Sequence, residues 1–318
     1  MSKNLEQKLS IVIPVFNEVE SLKELNDKII QAVSSLPFNC EIIYIDDGST
    51  DKSFNIITEL HQRDQRIKAI QFRRNFGKSA ALSAGFMEAD GDLVITMDAD
   101  LQDEPLEISN LIKKIGEGYD MVSGWKKERK DPFVKLISSK IFNFTVSIFT
   151  GIKLHDFNCG FKIYKKEVAK NIDVYGELHR FLPVLAYQKG YKVGELKIKH
   201  NERKFGESKY GKFGLGRIKN YMIDPINVIL ITKYARKPVH FFGSLGIASS
   251  ALGFVFCLYL TVLWIIGDKP IGNRPLLFLG ILLIIIGIQL FSMGLLGEII
   301  IRNSAKKENQ NYVIRKLK

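Results

Sequence analysis

The 318-residue chain has only three cysteines, Cys40, Cys159 and Cys257. They lie far apart and form no CxxC pair, which argues against a disulfide framework or a cysteine zinc site and fits a reducing compartment. No GxGxxG follows the first apolar run and no Walker A sequence occurs; GKFGLG at 211–216 has the wrong glycine spacing. A bound nucleotide would have to be held in some other way. The opening MSKNLEQKLS is polar, so no cleavable signal peptide is expected. The most informative absence is of charge. Residues 239–267 contain no Asp, Glu, Lys or Arg, and residues 275–297 contain no charged side chain at all. A helix needs about 20 apolar residues to cross the hydrocarbon core. Two transmembrane helices are therefore expected within 238–300; the alternative, a pair of buried core helices, fits such long runs less well.

The charge that is present sits beside those runs. The net charge is +12. Lys233, Arg236 and Lys237 precede the first span, and Arg302, Lys306, Lys307, Arg315, Lys316 and Lys318 follow the second, while the connecting loop holds only Lys269 and Arg274 against Asp268. The positive-inside rule then places the N-terminal part and the basic tail, 301–318, on the cytoplasmic side of an inner (cell) membrane, with Trp264 as an outer interfacial anchor. Segment 216–237 reads as juxtamembrane interfacial helix, and 133–149 as a helix that is either interfacial or an ordinary core helix. Their lysines favour anionic lipid headgroups by about 1 kcal/mol each near the surface. These segments account for much of the basic excess, so no nucleic-acid partner is needed. Two thin spans also leave room for a homo-oligomer.

Residues 1–215 alternate apolar runs with helical patterns: LSIVIPV, then a helix over 18–35; CEIIYID, then a helix from about Asp51; IKAIQF, then a helix over about 78–89; DLVITMD, then a helix from near Pro105; and YDMVSGW. This order predicts an α/β fold with a mostly parallel sheet and helices on both faces. Such sheets bind ligands beyond the carboxyl ends of their strands. The polar clusters PVFNE, DDGSTD and DAD fall at those ends. In an extended segment, residues i and i+2 point the same way, so Asp98 and Asp100 can face one ligand. With the Gln102 amide they suit a hard divalent cation such as Mg²⁺ or Mn²⁺. The plainer reading is that Asp100 and Asp103 cap the next helix, and that IDDGSTD is a capped loop. RRNFGKSAALSAGF, at a helix start, reads equally as a phosphate or ribose contact and as a solvated turn.

Together IPVFNE, IDDGSTD, RNFGKSAALSAGF, MDADLQDEP, DFNCGFKIYKKE (156–167) and ERKFGESKYG (202–211) resemble the family 2 glycosyltransferases of the GT-A fold, in order, over most of the first 215 residues. With the two C-terminal spans, the chain is similar to the polyprenyl-phosphate glycosyltransferases, among them the bactoprenol glucosyltransferases and dolichol-phosphate mannose synthases. The resemblance implies a nucleotide-sugar donor, a polyprenyl phosphate acceptor and Mg²⁺ or Mn²⁺ on Asp98, Asp100 and Gln102. It assigns the nucleotide to Pro14, Phe16, Glu18, Asp46, Asp47, Lys78, Asp98 and Ala99. Phosphate and acceptor contacts fall to Lys126, Arg129, Lys135, Lys140, Arg203, Ser208 and Lys209. Asp100 and Asp156 carry the chemistry, Asp156 as a base or as an acceptor-orienting group. A turn cap is the plain alternative for Asp156. One departure stands out: Lys126 occupies the place where relatives commonly carry arginine, and lysine holds a phosphate as a point charge without a bidentate fork. The implied reaction moves glucose from UDP-glucose, ahead of mannose from GDP-mannose or N-acetylglucosamine from its UDP donor, to undecaprenyl phosphate with inversion at C1. A processive polysaccharide synthase is disfavoured by the two spans and the lack of QxxRW. A non-catalytic membrane scaffold is disfavoured by the intact DAD and GESK.

Overall fold

The computed structural model describes residues 7–127, 143–148, 150–202, 204, 238–267, 270, 272–304 and 314–317. The chain divides into two compact units, 1–225 with 310–318, and 226–309.

The first unit is built on an eight-stranded sheet. Strands β1 (Lys8–Val15), β2 (Asn39–Asp46), β3 (Ile67–Phe72) and β4 (Leu93–Thr96) alternate with helices α1 (Leu22–Ser34), α2 (Ser53–Arg63) and α3 (Lys78–Glu88). After β4 come a 3₁₀ turn at Pro105–Glu107, α4 (Ile108–Ile115) and β5 (Met121–Trp125). Then follow β6 (Lys162–Lys165), α5 (Lys166–Asn171), α6 (Leu182–Gln188) and β7 (Val193–Lys197), with β8 (Ile314–Leu317) last. The strand order is β7-β5-β6-β4-β1-β2-β3-β8. Strands β4, β1, β2 and β3 run parallel in register, and β5 pairs parallel with β7. The expected α/β fold, a mostly parallel sheet with helices on both faces, therefore holds. Two details differ from it. Strand β6 inserts antiparallel between β4 and β5, and part of the tail, expected only as a basic extension, forms β8 antiparallel to β3.

Both faces of the sheet are covered, which is why its strands read as continuous apolar runs. The period of two still sorts them. Leu9, Ile11 and Ile13 of β1 pack with Tyr44, Leu25 and Leu111 on one face. Val12 goes to the other with Ile43, Ile45 and the α3 residues Ala81 and Phe86. Alanines and a glycine along α3 let it lie flat on the sheet, so its first turn, at Lys78, reaches the β4 tip.

The second unit holds two apolar helices of spanning length, Val239–Ile265 and Pro275–Ile300, 27 and 26 residues long. They pack closely through glycines: the Gly246 Cα faces the Gly287 carbonyl, and Gly253 faces the Gly280 carbonyl.

Candidate active site

The strand tips meet as the alternating order requires. In the β1 tip, Asn17 adopts a left-handed conformation with φ 53, which asparagine tolerates better than most residues. Its N–H donates to Ser49 Oγ at 2.9 Å, and its Oδ1 accepts from Thr50 N at 2.8 Å. Glu18 N donates to Ser53 Oγ and Val19 N to Asp51. PVFNE and DDGSTD are thus one interlocked structure. Gly48 is required there: its φ is +68, and an added Cβ would come 2.3 Å from the Arg74 carbonyl carbon.

The two aspartates of the β2 tip do different work. Both Asp47 oxygens accept from the third loop, from Phe76 N at 2.7 Å and Gly77 N at 3.0 Å. Asp47 therefore acts first as the anchor that presents Lys78. Asp46 is fully buried, accepts from Ser49 N and from Gln71 Nε2, and its pKa is raised by burial.

At the β4 tip Ala99 is buried while Asp98 and Asp100 are half-buried. Leu101 takes φ 61, costly for a bulky residue, and turns the chain so that the Gln102 N–H donates to Asp100 Oδ1 at 3.2 Å. Lys78 is ion-paired to Asp98. Burial works against the Asp98 charge, but Lys78, Lys126 and Lys162 outweigh it and depress its pKa. Asp100 is treated oppositely: burial, Asp98 and Asp103 push it up to about 6. A rise of this kind marks negative charge left uncompensated by the protein. A cation held by Asp98 and Asp100 would supply the compensation. Among the described residues no three His, Cys, Asp or Glu side chains gather as a metal cluster, so the fit is to a hard divalent ion that takes its other ligands from phosphate oxygens and water.

Lys126 lies 2.9 Å from Asp103 Oδ1, with the two side chains 12% and 0% exposed. Burial lowers its pKa, and Asp103, with Cys159 and Asp98, more than reverses that. The expected phosphate contact is therefore committed to an internal ion pair. The plainer reading of Asp103, a helix cap, does not describe it: it is the buried partner of Lys126. Segment 198–202 runs past it: His200 bridges Asp103, Asn201 N donates to the Gln102 carbonyl at 2.8 Å, and Asn201 Nδ2 reaches Glu104. The stem of the RKFGESK segment is fastened to the DAD tip. Arg203, Ser208 and Lys209 of that segment, and Arg129, Lys135 and Lys140, lie outside the described residues. Pro14, on β1, lines a small cavity with Lys78, Asp98, Gly160, Lys162 and His179. Phe16 and Glu18 stand on the β1 tip, half-buried. Asp156 is buried, and its Oδ1 accepts from Asn158 N at 3.1 Å.

Three participants escaped the sequence reading. Lys162 is 1% exposed in the cavity floor, with its pKa lowered by burial. His179 meets Ser79 at 3.1 Å, and burial, with Lys78 nearby, lowers its pKa to about 3. Glu195 binds the loop that carries Asp156. No local pattern marked them; the fold brings each to the site from a distant segment.

Carboxylates and a lysine on one rim of a parallel sheet suit a charged, phosphate-bearing ligand, and comparison with known proteins identifies the family. Residues 10–173 match the model of glycosyl transferase family 2. The chain belongs to that family. It is similar to the dodecaprenyl-phosphate galacturonate synthase of Rhizobium johnstonii, 36% identical over 97% of this chain and 92% of the relative. It is similar also to the undecaprenyl-phosphate 4-deoxy-4-formamido-L-arabinose transferase of Edwardsiella ictaluri, 37% identical over 92% and 89% of the two chains. Among solved structures, the glucosyl-3-phosphoglycerate synthase of Mycobacterium tuberculosis in complex with Mn²⁺, uridine diphosphate and phosphoglyceric acid superposes with a TM-score of 0.55 at 16% identity, covering 71% of this chain and 78% of that one. The mannosyl-3-phosphoglycerate synthase of Rubrobacter xylanophilus gives 0.54 at 16% identity, covering 70% and 74%. These two show the shared GT-A-like fold.

Proposed function

We propose that this glycosyltransferase moves a sugar from a nucleotide diphosphate sugar to a polyprenyl phosphate held in the membrane. The observation that carries the reading is the Asp98–Asp100 pair, with Lys78 on one carboxylate and the other left uncompensated, at the tip of β4. Relatives named for dodecaprenyl- and undecaprenyl-phosphate match along nearly the whole chain, including the two apolar helices. UDP-glucose is the first donor to test, and the relatives' names add galacturonate and formamidoarabinose donors.

The acceptor phosphate, with a second pKa of about 6, is mostly dianionic at neutral pH, so it needs little help from a base. Its oxygen attacks the sugar C1 as the bond from C1 to the diphosphate breaks; attack in one step inverts C1. The harder task is to bring two anions together. Mg²⁺ or Mn²⁺ on Asp98 and Asp100, with Gln102 beside them, would draw charge from the leaving diphosphate. Lys78 holds Asp98 in place, the PVFNE tip faces the nucleoside with Asp46 bracing the loop behind it, and Asp156 orients the incoming phosphate. Preorganised charge of this kind is commonly the largest catalytic contribution.

The membrane assignment has independent support. Within 143–148, Val146 is buried while Phe144 and Ile148, four residues apart, are 68% and 60% exposed, an apolar face suited to the lipid interface. The pairing of β8 with β3 supports a two-span reading in which residues 314–317 and the first unit share one side, the cytoplasmic one by the charge rule. Incubating the full-length protein with undecaprenyl phosphate and a panel of labelled nucleotide sugars, with and without EDTA, tests the reading. A sugar-phospholipid that forms only without chelator is expected. Transfer to water alone, or from none of the panel, refutes it.

A further inference from the structure

The loop 155–157 carries Asp156 between elements, yet its main-chain polar groups are held by side chains. Glu195 Oε1 accepts from His155 N at 2.9 Å and from Asp156 N at 2.9 Å. Its Oε2 lies 3.2 Å from His155 N and 2.7 Å from His155 Nδ1. Asn143 Nδ2 donates to the His155 carbonyl at 2.7 Å, and its Oδ1 faces Phe157 N at 3.4 Å. Ser123 Oγ, fully buried, lies 3.5 Å from the Asp156 carbonyl. Ser123 and Glu195 are register partners on β5 and β7, so neighbouring strands grip Asp156 from its two main-chain sides. The His155 ring stacks on Trp125, also of β5, at 4.1 Å and 15°.

A loop that needed only to cross the surface would leave these groups to water. Here a carboxylate 11% exposed is spent on two backbone amides and an imidazole. Hydrogen bonds to an ionised acceptor are about twice as strong as neutral ones. Burying the carboxylate costs free energy, and its pKa is raised by that burial despite the His155 hydrogen bond. The outcome is a main chain fixed on both sides of one residue, Asp156. We propose that Glu195 is a positioning residue for the transfer reaction: it touches no substrate and sets the place of the Asp156 carboxylate. This rests on the role given to Asp156 above.

The test compares Glu195→Ala, Glu195→Gln and Glu195→Asp with Asp156→Asn and the double variant Asp156→Asn/Glu195→Ala, in the full-length protein. Turnover, donor KM and melting temperature are read for each. Glu195→Gln keeps an oxygen at the shared position of the two amides and lets His155 accept from the new amide, so its kcat should stay within about threefold. Glu195→Ala should lose about 30-fold or more in kcat with donor KM little changed, since a misplacement near 1 Å costs on the order of 100-fold. The double variant should be no slower than Asp156→Asn alone, because the two act as a unit. Equal kcat for Ala and Gln, or losses that multiply in the double variant, overturns the inference. If Glu195→Ala fails to fold, the Gln and Asp variants decide: Asp keeps the charge but is one methylene short and should be slower, and the reverse order overturns it. Asp156→Asn with normal turnover removes the role assigned to Asp156. Asp156→Asn inactive beside a normal Glu195→Ala removes only that of Glu195.

Discussion

Gly160 offers the sharpest test of the Asp98 site, because Asp98 can be displaced from there without substituting any charged residue. A Cβ added there would lie 2.5 Å from Asp98 Oδ2, 2.6 Å from Cγ and 2.7 Å from Oδ1. Ordinary van der Waals contact begins near 3.4 Å, so the carboxylate must move by about 1 Å or the β6 entry must yield. On its other side the carboxylate is held by Lys78, whose own loop is anchored by Asp47. Asp98 therefore has no slack in either direction. A displacement of about 1 Å at a reacting centre costs on the order of 100-fold in rate, or about 2.7 kcal/mol in activation free energy. Gly160→Ala should thus lower sugar transfer about 100-fold and weaken Mn²⁺ or donor binding, both measurable in detergent by product formation and calorimetry. Melting should fall by far less than in a core-disrupting variant, since the clash is with one side chain and not with backbone. Activity within twofold of the parent would refute the claim that Asp98 must occupy its present place.

Other outcomes follow from the same structure. Asp100→Asn should abolish Mn²⁺ binding seen by electron paramagnetic resonance while leaving the melting temperature equal or higher, because burial and two carboxylates already disfavour its charge; undiminished Mn²⁺ binding refutes the assignment. Lys162→Met removes a buried amine whose charge burial disfavours; stability to urea should rise by about 1–3 kcal/mol while transfer falls, and a loss of stability contradicts the burial argument. Acid should destabilise the first unit in two windows. His179 has its pKa lowered to about 3, so the unfolded chain binds the extra proton as pH drops below about 6.5, and stability falls by up to about 1.4 kcal/mol per pH unit toward 3. Burial opposes the Glu41 charge, but hydrogen bonds from Ser10 and Asp90 N, with Lys8 and Lys68, hold its pKa down to about 2; its contribution is present above about 4.5 and lost as pH falls from there toward 2. Glu41→Gln should erase the lower window alone and His179→Gln the upper, as read from urea midpoints against pH.

The parts of this fold that were legible in the sequence are those whose signal is local. Strands β1 to β4 are continuous apolar runs separated by helix patterns, and the run of 98–104 concentrates oxygen ligands where a strand stops. The parts that were not legible are those where distant segments decide. KIYK is four residues with a lysine at each end, so nothing in it announces β6 wedged between β4 and β5 with Lys162 fully buried. VGELK is only one residue longer, and its glutamate reads as a surface residue until the fold carries it to 155–156. Asp46 and Asp47 are indistinguishable as letters, and only the approach of Phe76 and Gly77 makes one of them an anchor.

Lys126 shows the same limit in the other direction. By type and position it reads as a free cation awaiting phosphate; the fold places Asp103, itself readable as a cap, 2.9 Å away in a buried pair. Removing one member of such a pair leaves the other charge buried alone, which costs about 3–5 kcal/mol. Lys126→Ala should therefore lower stability steeply, whereas a residue whose only task was to meet a solvated phosphate would lower acceptor affinity and leave stability intact. Asp103→Asn in the Lys126→Met background separates the two accounts. If Lys126 serves the ion pair, the double change restores stability and much of the activity. If the double variant regains stability yet fails to use the lipid phosphate, Lys126 contacts the acceptor as well, and the pair is the device that holds it ready.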